Sequence, residues 1–307
     1  MPAMTRCTVI RNPGSRRHLS DVKFEAALAV ARDAGWDVRC VATERKGHAT
    51  EIARAEAADG ADVLIVHGGD GTLNEAINGV AGSQVAVGIL PGGTANVWAK
   101  EAHIPRDPLA AMGAIVTGER RRIDLGRANG RYFLLMAGVG LDAEIVPRVG
   151  TRLKRWFGAM AYLALGVWTS LRTKPWDVTM RVDEAALEDR SLYWMVVGNT
   201  RSYGGLANIT HRARVDDGLL DVGVMHRGGA FHLLVDGVRV LFKRHDRSPN
   251  IDYLRACVIE VDTPGLPVQI DGEPAGRTPM RFQVAPAALT VIVPVGLRSP
   301  LFATPAE

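Results

Sequence analysis

Asp62 opens a continuous apolar run, Val63-Leu64-Ile65-Val66, which passes at once into His67-Gly68-Gly69-Asp70-Gly71-Thr72. A strand apolar at every position is buried on both faces, and that requires helices above and below a mostly parallel sheet. A glycine-rich segment between such a strand and a helix lets the backbone approach a ligand closely. The helix expected over residues 72–80 offers free N–H groups and a positive dipole end to an anion. Thr72 can cap that helix and also donate to a phosphate. Asp70 adds a carboxylate, which makes sense beside phosphates if a Mg²⁺ lies between them. The alternative is a tight strand-to-helix turn that Asp70 and Thr72 merely stabilise.

The same alternation extends on both sides of this loop. Cys7-Thr8-Val9-Ile10 is a short strand ending in the breaker Asn12-Pro13-Gly14. Ser20 is the expected N-cap of a helix reaching Gly35, with Phe24, Leu28 and Ala31 on one face. A strand over 36–41, a helix over 49–58 and a buried strand over 85–90 follow. That last strand ends in a second glycine loop, Pro91-Gly92-Gly93-Thr94-Ala95-Asn96, and helices are expected over 94–101 and 108–117. This order implies a doubly wound α/β sheet, in which both glycine loops open on the carboxyl edge where ligands bind.

After Leu125 the pattern becomes all-β. Strands are expected over 132–137, 178–182, 192–197, 219–225, 256–261, 268–270, 280–284 and 289–293. Turn signals such as Asp217-Gly218, Arg227-Gly228-Gly229 and Asp271-Gly272 separate most of them. The reading is a β-sandwich with one helical insertion over 153–171. A chain of 307 residues has room for two such domains. The expected division is 1–125 for the α/β domain, 126–295 for the β-sandwich domain, and 296–307 for a tail packing back on the first.

Composition excludes several classes. The three cysteines, Cys7, Cys40 and Cys257, form no C-x-x-C pair, so a reducing cytoplasmic compartment is expected. Residues 1–8 carry no signal-peptide pattern. The uncharged run between Arg155 and Arg172 is interrupted by Gly158, Gly166, Thr169 and Ser170 and is too short to span a membrane. A net charge of +4 suits an anionic small molecule or membrane surface, and no nucleic-acid reader motif accompanies it. The histidines show no zinc spacing.

His67-Gly68-Gly69-Asp70-Gly71-Thr72-Leu73-Asn74-Glu75 together with Pro91-Gly92-Gly93-Thr94-Ala95-Asn96 resembles the catalytic domain of diacylglycerol and sphingosine kinases. The nearer likeness is to the soluble bacterial lipid kinases of that superfamily. Asn12-Pro13, Ile123-Asp124-Leu125-Gly126, Asp216-Asp217-Gly218-Leu219-Leu220-Asp221-Val222 and Asp271-Gly272-Glu273 match further motifs in the same order. Many lipid kinases carry a larger residue at the position of Gly92, before the Gly93-Thr94 pair. The resemblance implies an α/β nucleotide-binding domain followed by a β-sandwich, and transfer of a phosphoryl group from ATP, with Mg²⁺, to a lipid bearing a free hydroxyl. It also implies that Asn12, Pro13, Thr43, Gly68, Gly69, Asp70, Gly71, Thr72, Asn74, Glu75, Gly93, Thr94 and Asn96 bind the nucleotide. Glu273 would be the general base, and Asp70 and Asp124 would belong to the active-site network. Asp217, with the main-chain oxygens of Arg214 and Leu219, would hold a structural Mg²⁺. By residue chemistry alone Glu273 reads first as a solvated hairpin residue, while Asp124 is equally a strand-start ion-pair partner of Arg120-Arg121-Arg122 and Asp217 equally a β-turn residue.

Arg152, Lys154 and Arg155 precede Trp156, Phe157, Met160, Leu163, Leu165 and Trp168. Basic residues before aromatics suit a peripheral element on the inner face of a membrane. A core helix or a homodimer contact stays open for the same segment. NAD kinase shares the Gly-Gly-Asp-Gly loop, but Thr72-Leu73-Asn74-Glu75 and Asp271-Gly272-Glu273 are of lipid-kinase type. A non-catalytic nucleotide- or lipid-binding protein would be expected to lack Asp70, Thr94 or Glu273. Gly138-x-Gly140-x-x-Ala143 formally matches a dinucleotide fingerprint, but no acidic residue follows near position 163, so it reads as a tight turn.

Overall fold

The computed structural model describes residues 4–16, 19–141, 143, 174–204, 207–229, 232, 235, 236, 239 and 248–303. The expected helical insertion and the basic-aromatic segment from Arg152 to Trp168 lie outside these residues. The elements run β1 (Arg6–Arg11), α1 (Asp21–Asp33), β2 (Asp37–Ala42), α2 (His48–Ala58), β3 (Val63–Gly68), α3 (Asp70–Val80), β4 (Ala86–Pro91), α4 (Val97–Glu101) and α5 (Pro108–Val116). Then come β5 (Glu119–Ala128), β6 (Arg131–Phe133), β7 (Met136–Gly140), β8 (Trp176–Val182), β9 (Ala185–Leu192), β10 (Trp194–Gly198) and β11 (Leu220–Met225). The last are β12 (Ile251–Ala256), β13 (Val258–Val261), β14 (Pro267–Ile270), β15 (Glu273–Arg277) and β16 (Met280–Val293). The chain divides into two compact units.

The first unit holds the chain through Leu125, the segment Val215–Asp217 and the residues from Ala285 onward. Its sheet runs β2-β1-β3-β4, all parallel, and continues into the later half of β16 through Thr290 and Val291 beside Ala86 and Val87. All six residues of β3 are buried. Helices α1 and α5 pack together, as do α2 and α3, giving the doubly wound arrangement. Ser20 caps α1, its Oγ accepting from Lys23 N. From residue 294 the chain stays in this unit: Ser299 Oγ donates to Glu101 O, and Val215 N to Leu301 O.

The second unit holds Gly126–Arg214 and Gly218–Val284. One layer is the antiparallel sheet β12-β11-β10-β7-β14-β15. Facing it are β9-β8-β13, the first half of β16, and the β5–β6 hairpin. Phe133, Val139, Met195, Val197, Val222, Ile259 and Phe282 fill the core between the layers. This is the expected sandwich.

Several expected elements change. The strands expected over 280–284 and 289–293 are one strand, β16, which runs on through Pro286 and through Ala287 at φ 47°. The strand expected over 132–137 is two, β6 and β7. The N–H groups of Leu134, Leu135 and Met136 turn instead to the Asp271 carboxylate at 3.0, 3.0 and 2.8 Å. Gly138 and Gly140 lie in β7 rather than in a turn, antiparallel to β10 and β14. Strands β9, β12 and β15 stand at sheet edges and lack the apolar runs of central strands, so no apolar pattern announced them.

Candidate active site

The carboxyl ends of the parallel strands bring the glycine loops together. Asn12 N donates to His67 O at 2.9 Å, Thr43 N to Arg11 O at 2.8 Å, and Gly92 N to Gly68 O at 2.8 Å. The loops after β1, β2, β3 and β4 thus form one continuous rim. Asn12 bridges it, its Nδ2 donating to Thr72 Oγ1 at 2.8 Å and its Oδ1 accepting from Gly14 N at 2.9 Å. Pro13 occupies the turn between them.

Two glycines are demanded by distance. A Cβ on Gly93 would stand 2.5 Å from Gly69 Cα and 2.7 Å from Asn96 Oδ1. A Cβ on Gly68 would stand 2.8 Å from Thr72 Cβ. The two glycine loops therefore touch backbone to backbone, as a surface that must approach phosphate oxygens requires. Asn96 locks the second loop, its Oδ1 accepting from Gly93 N at 2.8 Å and its Nδ2 donating to Gly93 O at 3.0 Å.

Helix α3 begins at Asp70, with Gly69 at the N-cap. Thr72 is therefore not the cap: it lies inside the first turn, and its hydroxyl faces Asn12. Gly71 is exposed in that turn, so the positive end of α3 opens beside the loop. The Asp70 carboxylate accepts from Trp98 N at 3.4 Å at the start of α4. Burial pushes its carboxyl above the ordinary range, against the N–H groups of Trp98 and Val97 and the charge of Lys100. A desolvated carboxylate of this kind favours a cation beside it, which is the chemistry of a Mg²⁺ ligand.

Asn74 is buried one turn further along, where Asn78 Nδ2 donates to its side-chain oxygen at 3.3 Å. Glu75 is half-buried, and its carbonyl accepts from Thr50 Oγ1 at 2.7 Å, tying α3 to α2. Thr94 is exposed, and its hydroxyl accepts from Arg16 Nη1 at 3.3 Å. Arg16 and Ser15, whose hydroxyl is buried beside Gly92, are residues the motif reading passed over. The signal was present: Ser15-Arg16 directly follows Asn12-Pro13-Gly14 at a strand end.

Asp124 is buried in β5 and accepts from Ala287 N at 2.7 Å. Its own N–H donates to Val215 O at the start of the segment leading to Asp217. Arg122 Nε goes to the Ala287 carbonyl at 3.0 Å. Gly218 stands at φ 73° in the turn entering β11, with Asp217 and Leu219 half-buried and Arg214 exposed. Among the described residues no cluster of three or more His, Cys, Asp or Glu side chains could hold a metal ion. One carboxylate and two carbonyls, the set expected at Asp217, are not such a cluster.

In the second unit, Asp271 and Gly272 form the two-residue turn between β14 and β15, at φ 48° and 81°. That geometry suits a tight hairpin. Glu273 opens β15, and its Oε2 lies 3.1 Å from Arg131 Nη2. Arg131 was also passed over, although the Asn129-Gly130 turn before it marks a hairpin.

The comparisons with known proteins follow the same division. A family described as the diacylglycerol kinase catalytic domain matches residues 6–128. A second, described as the YegS C-terminal NAD kinase beta sandwich-like domain, matches 136–293. A diacylglycerol kinase of Staphylococcus saprophyticus subsp. saprophyticus is 29% identical over 299 residues, covering 96% of this chain and 97% of that protein. One from Staphylococcus aureus (strain JH9) is 30% identical over 282 residues, covering 90% and 89%. The crystal structure of a diacylglycerol kinase from Bacillus anthracis str. Sterne shares the fold, with a TM-score of 0.76 and 22% identity, covering 97% of this chain and all of that one.

Proposed function

The chain belongs to the diacylglycerol kinase family of lipid kinases, and from that premise we propose that it transfers the γ-phosphoryl group of ATP to the hydroxyl of a diacylglycerol-like lipid. The observation that carries this reading is the contact of the Gly69 and Gly93 backbones beside the N-terminus of α3. Such a surface holds phosphates through main-chain N–H groups. Asn12, Thr72, Thr94 and Arg16 add side-chain donors around it.

Asp70 is the candidate Mg²⁺ ligand. Bound there, the ion would neutralise charge on the phosphates. Asp217, with the main-chain oxygens of Arg214 and Leu219, is the candidate structural site. Asp124 steadies the segment that leads to it. Glu273 takes the proton of the acceptor hydroxyl as its oxygen bonds to phosphorus and ADP leaves.

No helix among the described residues is long and apolar enough to cross a membrane. The proposed place of action is the cytoplasmic face of a membrane, contacted peripherally through Trp156 and Phe157. Trp156→Asp with Phe157→Asp weakens liposome binding on this reading, and unchanged partitioning removes the contact.

The central test is a kinase assay with labelled ATP and Mg²⁺ across a lipid panel, with NAD as a further acceptor and Glu273→Ala alongside. Phosphorylation of NAD and of no lipid overturns the reading. Full lipid activity in Glu273→Ala overturns the assignment of the base.

A further inference from the structure

Two side chains, Asp271 and Gln269, fix the hairpin that presents Glu273. Asp271 turns inward and takes three consecutive main-chain N–H groups, from Leu134, Leu135 and Met136. Gly272 N donates to Gln269 Oε1 at 2.8 Å, closing the turn from the other side. Glu273 lies beyond it, and its carboxylate meets Arg131.

Arg131 is itself placed by a pinned turn. It opens β6 directly after Asn129 and Gly130, at φ 43° and 98°, which reverse the chain from β5. Asn129 anchors that turn on β16, its Oδ1 accepting from Arg281 N at 3.0 Å and its Nδ2 donating to Pro279 O at 3.3 Å. The arginine thus reaches Glu273 from a hairpin tied to the opposite layer of the sandwich.

The pair is a poor source of stability. The Arg131 and Glu273 side chains are 36% and 27% exposed, and solvent-accessible ion pairs contribute little to stability. Holding a carboxylate in one direction, by contrast, matters greatly to a group that must meet a hydroxyl at hydrogen-bond distance.

We propose that Arg131 is a positioning residue that aims the Glu273 carboxylate at the acceptor hydroxyl, an inference that rests on Glu273 being the base. The contact uses one guanidinium nitrogen rather than the planar fork. A lysine can therefore supply it in part.

The test compares wild type, Arg131→Gln, Arg131→Lys and Glu273→Ala on the lipid of the panel that the wild type phosphorylates fastest. Arg131→Gln is expected to lower kcat by about tenfold or more with the KM for ATP unchanged, and Arg131→Lys to recover most of that loss. Wild-type kcat in Arg131→Gln overturns the inference. So does an equal fall in both arginine variants together with a lower thermal midpoint, which marks a merely structural role. An inactive Glu273→Ala beside a fully active Arg131→Gln removes the positioning role and leaves the base standing. Full activity in Glu273→Ala removes the base and with it this inference, and a wild type active on no lipid overturns both.

Discussion

Replacing Gly93 by alanine is the sharpest test of the phosphate-binding rim. The added Cβ would lie 2.5 Å from Gly69 Cα, a backbone atom that no rotamer change can move aside. Carbon atoms pack at about 3.5–4.0 Å, so the two loops must part by roughly 1 Å. The new methyl would also press on Asn96 Oδ1 at 2.7 Å and disturb the bond that locks the second loop. Overpacking of this kind costs about 1–3 kcal/mol, and each kcal/mol lowers the thermal midpoint by about 2–4 °C in a chain of this size class. Function should suffer more, because a misplacement of about 1 Å at a reacting centre costs on the order of 100-fold. Gly93→Ala is therefore expected to lower kcat/KM for ATP by about that factor while the protein remains folded. Gly113→Ala is the matched control, since nothing lies within 4 Å of a Cβ there. Its helical site makes it neutral or stabilising by up to about 1 kcal/mol. A folded Gly93→Ala enzyme with wild-type kcat/KM refutes the backbone contact as a functional device.

Asp70→Asn separates the cost of a buried carboxylate from its use. Burial raises the folded-state pKa, so the stability contribution is fully present below the unfolded value and is lost as pH rises through the folded one. The variant should melt above the metal-free wild type near neutral pH, with the difference closing on acidification, and should lose kinase activity; a lower midpoint near neutral pH contradicts the assignment. Asn12→Ala and Thr72→Val should each cost about 1 kcal/mol in denaturant unfolding and couple by a similar amount, because one hydrogen bond joins them. Additive losses would show that the bond contributes nothing. Asp271→Ala strips three main-chain donors of their acceptor and should cost about 2–3 kcal/mol in urea unfolding. An unchanged midpoint would remove Asp271 as the clamp of the hairpin.

The α/β half was largely legible in the sequence. Val63-Leu64-Ile65-Val66 is apolar without alternation because β3 is covered on both sides. Ser20 marked the start of α1 because capping is a local interaction. The second unit was legible only where strands are central. Glu273 to Arg277 carries no apolar pattern, since β15 stands at a sheet edge. The split of residues 131–140 into two strands could not be read locally, because Asp271 draws the intervening N–H groups away from more than a hundred positions off.

The amino-acid sequence by itself determined the alternation of strand and helix, the two glycine loops at strand ends, and the motif order of a lipid kinase. These rest on burial, turn chemistry and capping, which act over a few neighbouring residues. Only the tertiary structure decided that Gly69 and Gly93 touch, that Asn12 reaches Thr72, that Asp70 answers the start of α4, and that Arg131 meets Glu273. Each of those contacts joins residues that only the pairing and packing of distant elements bring within a few ångströms. A pattern with a period of two or of three to four residues carries no record of such a pairing.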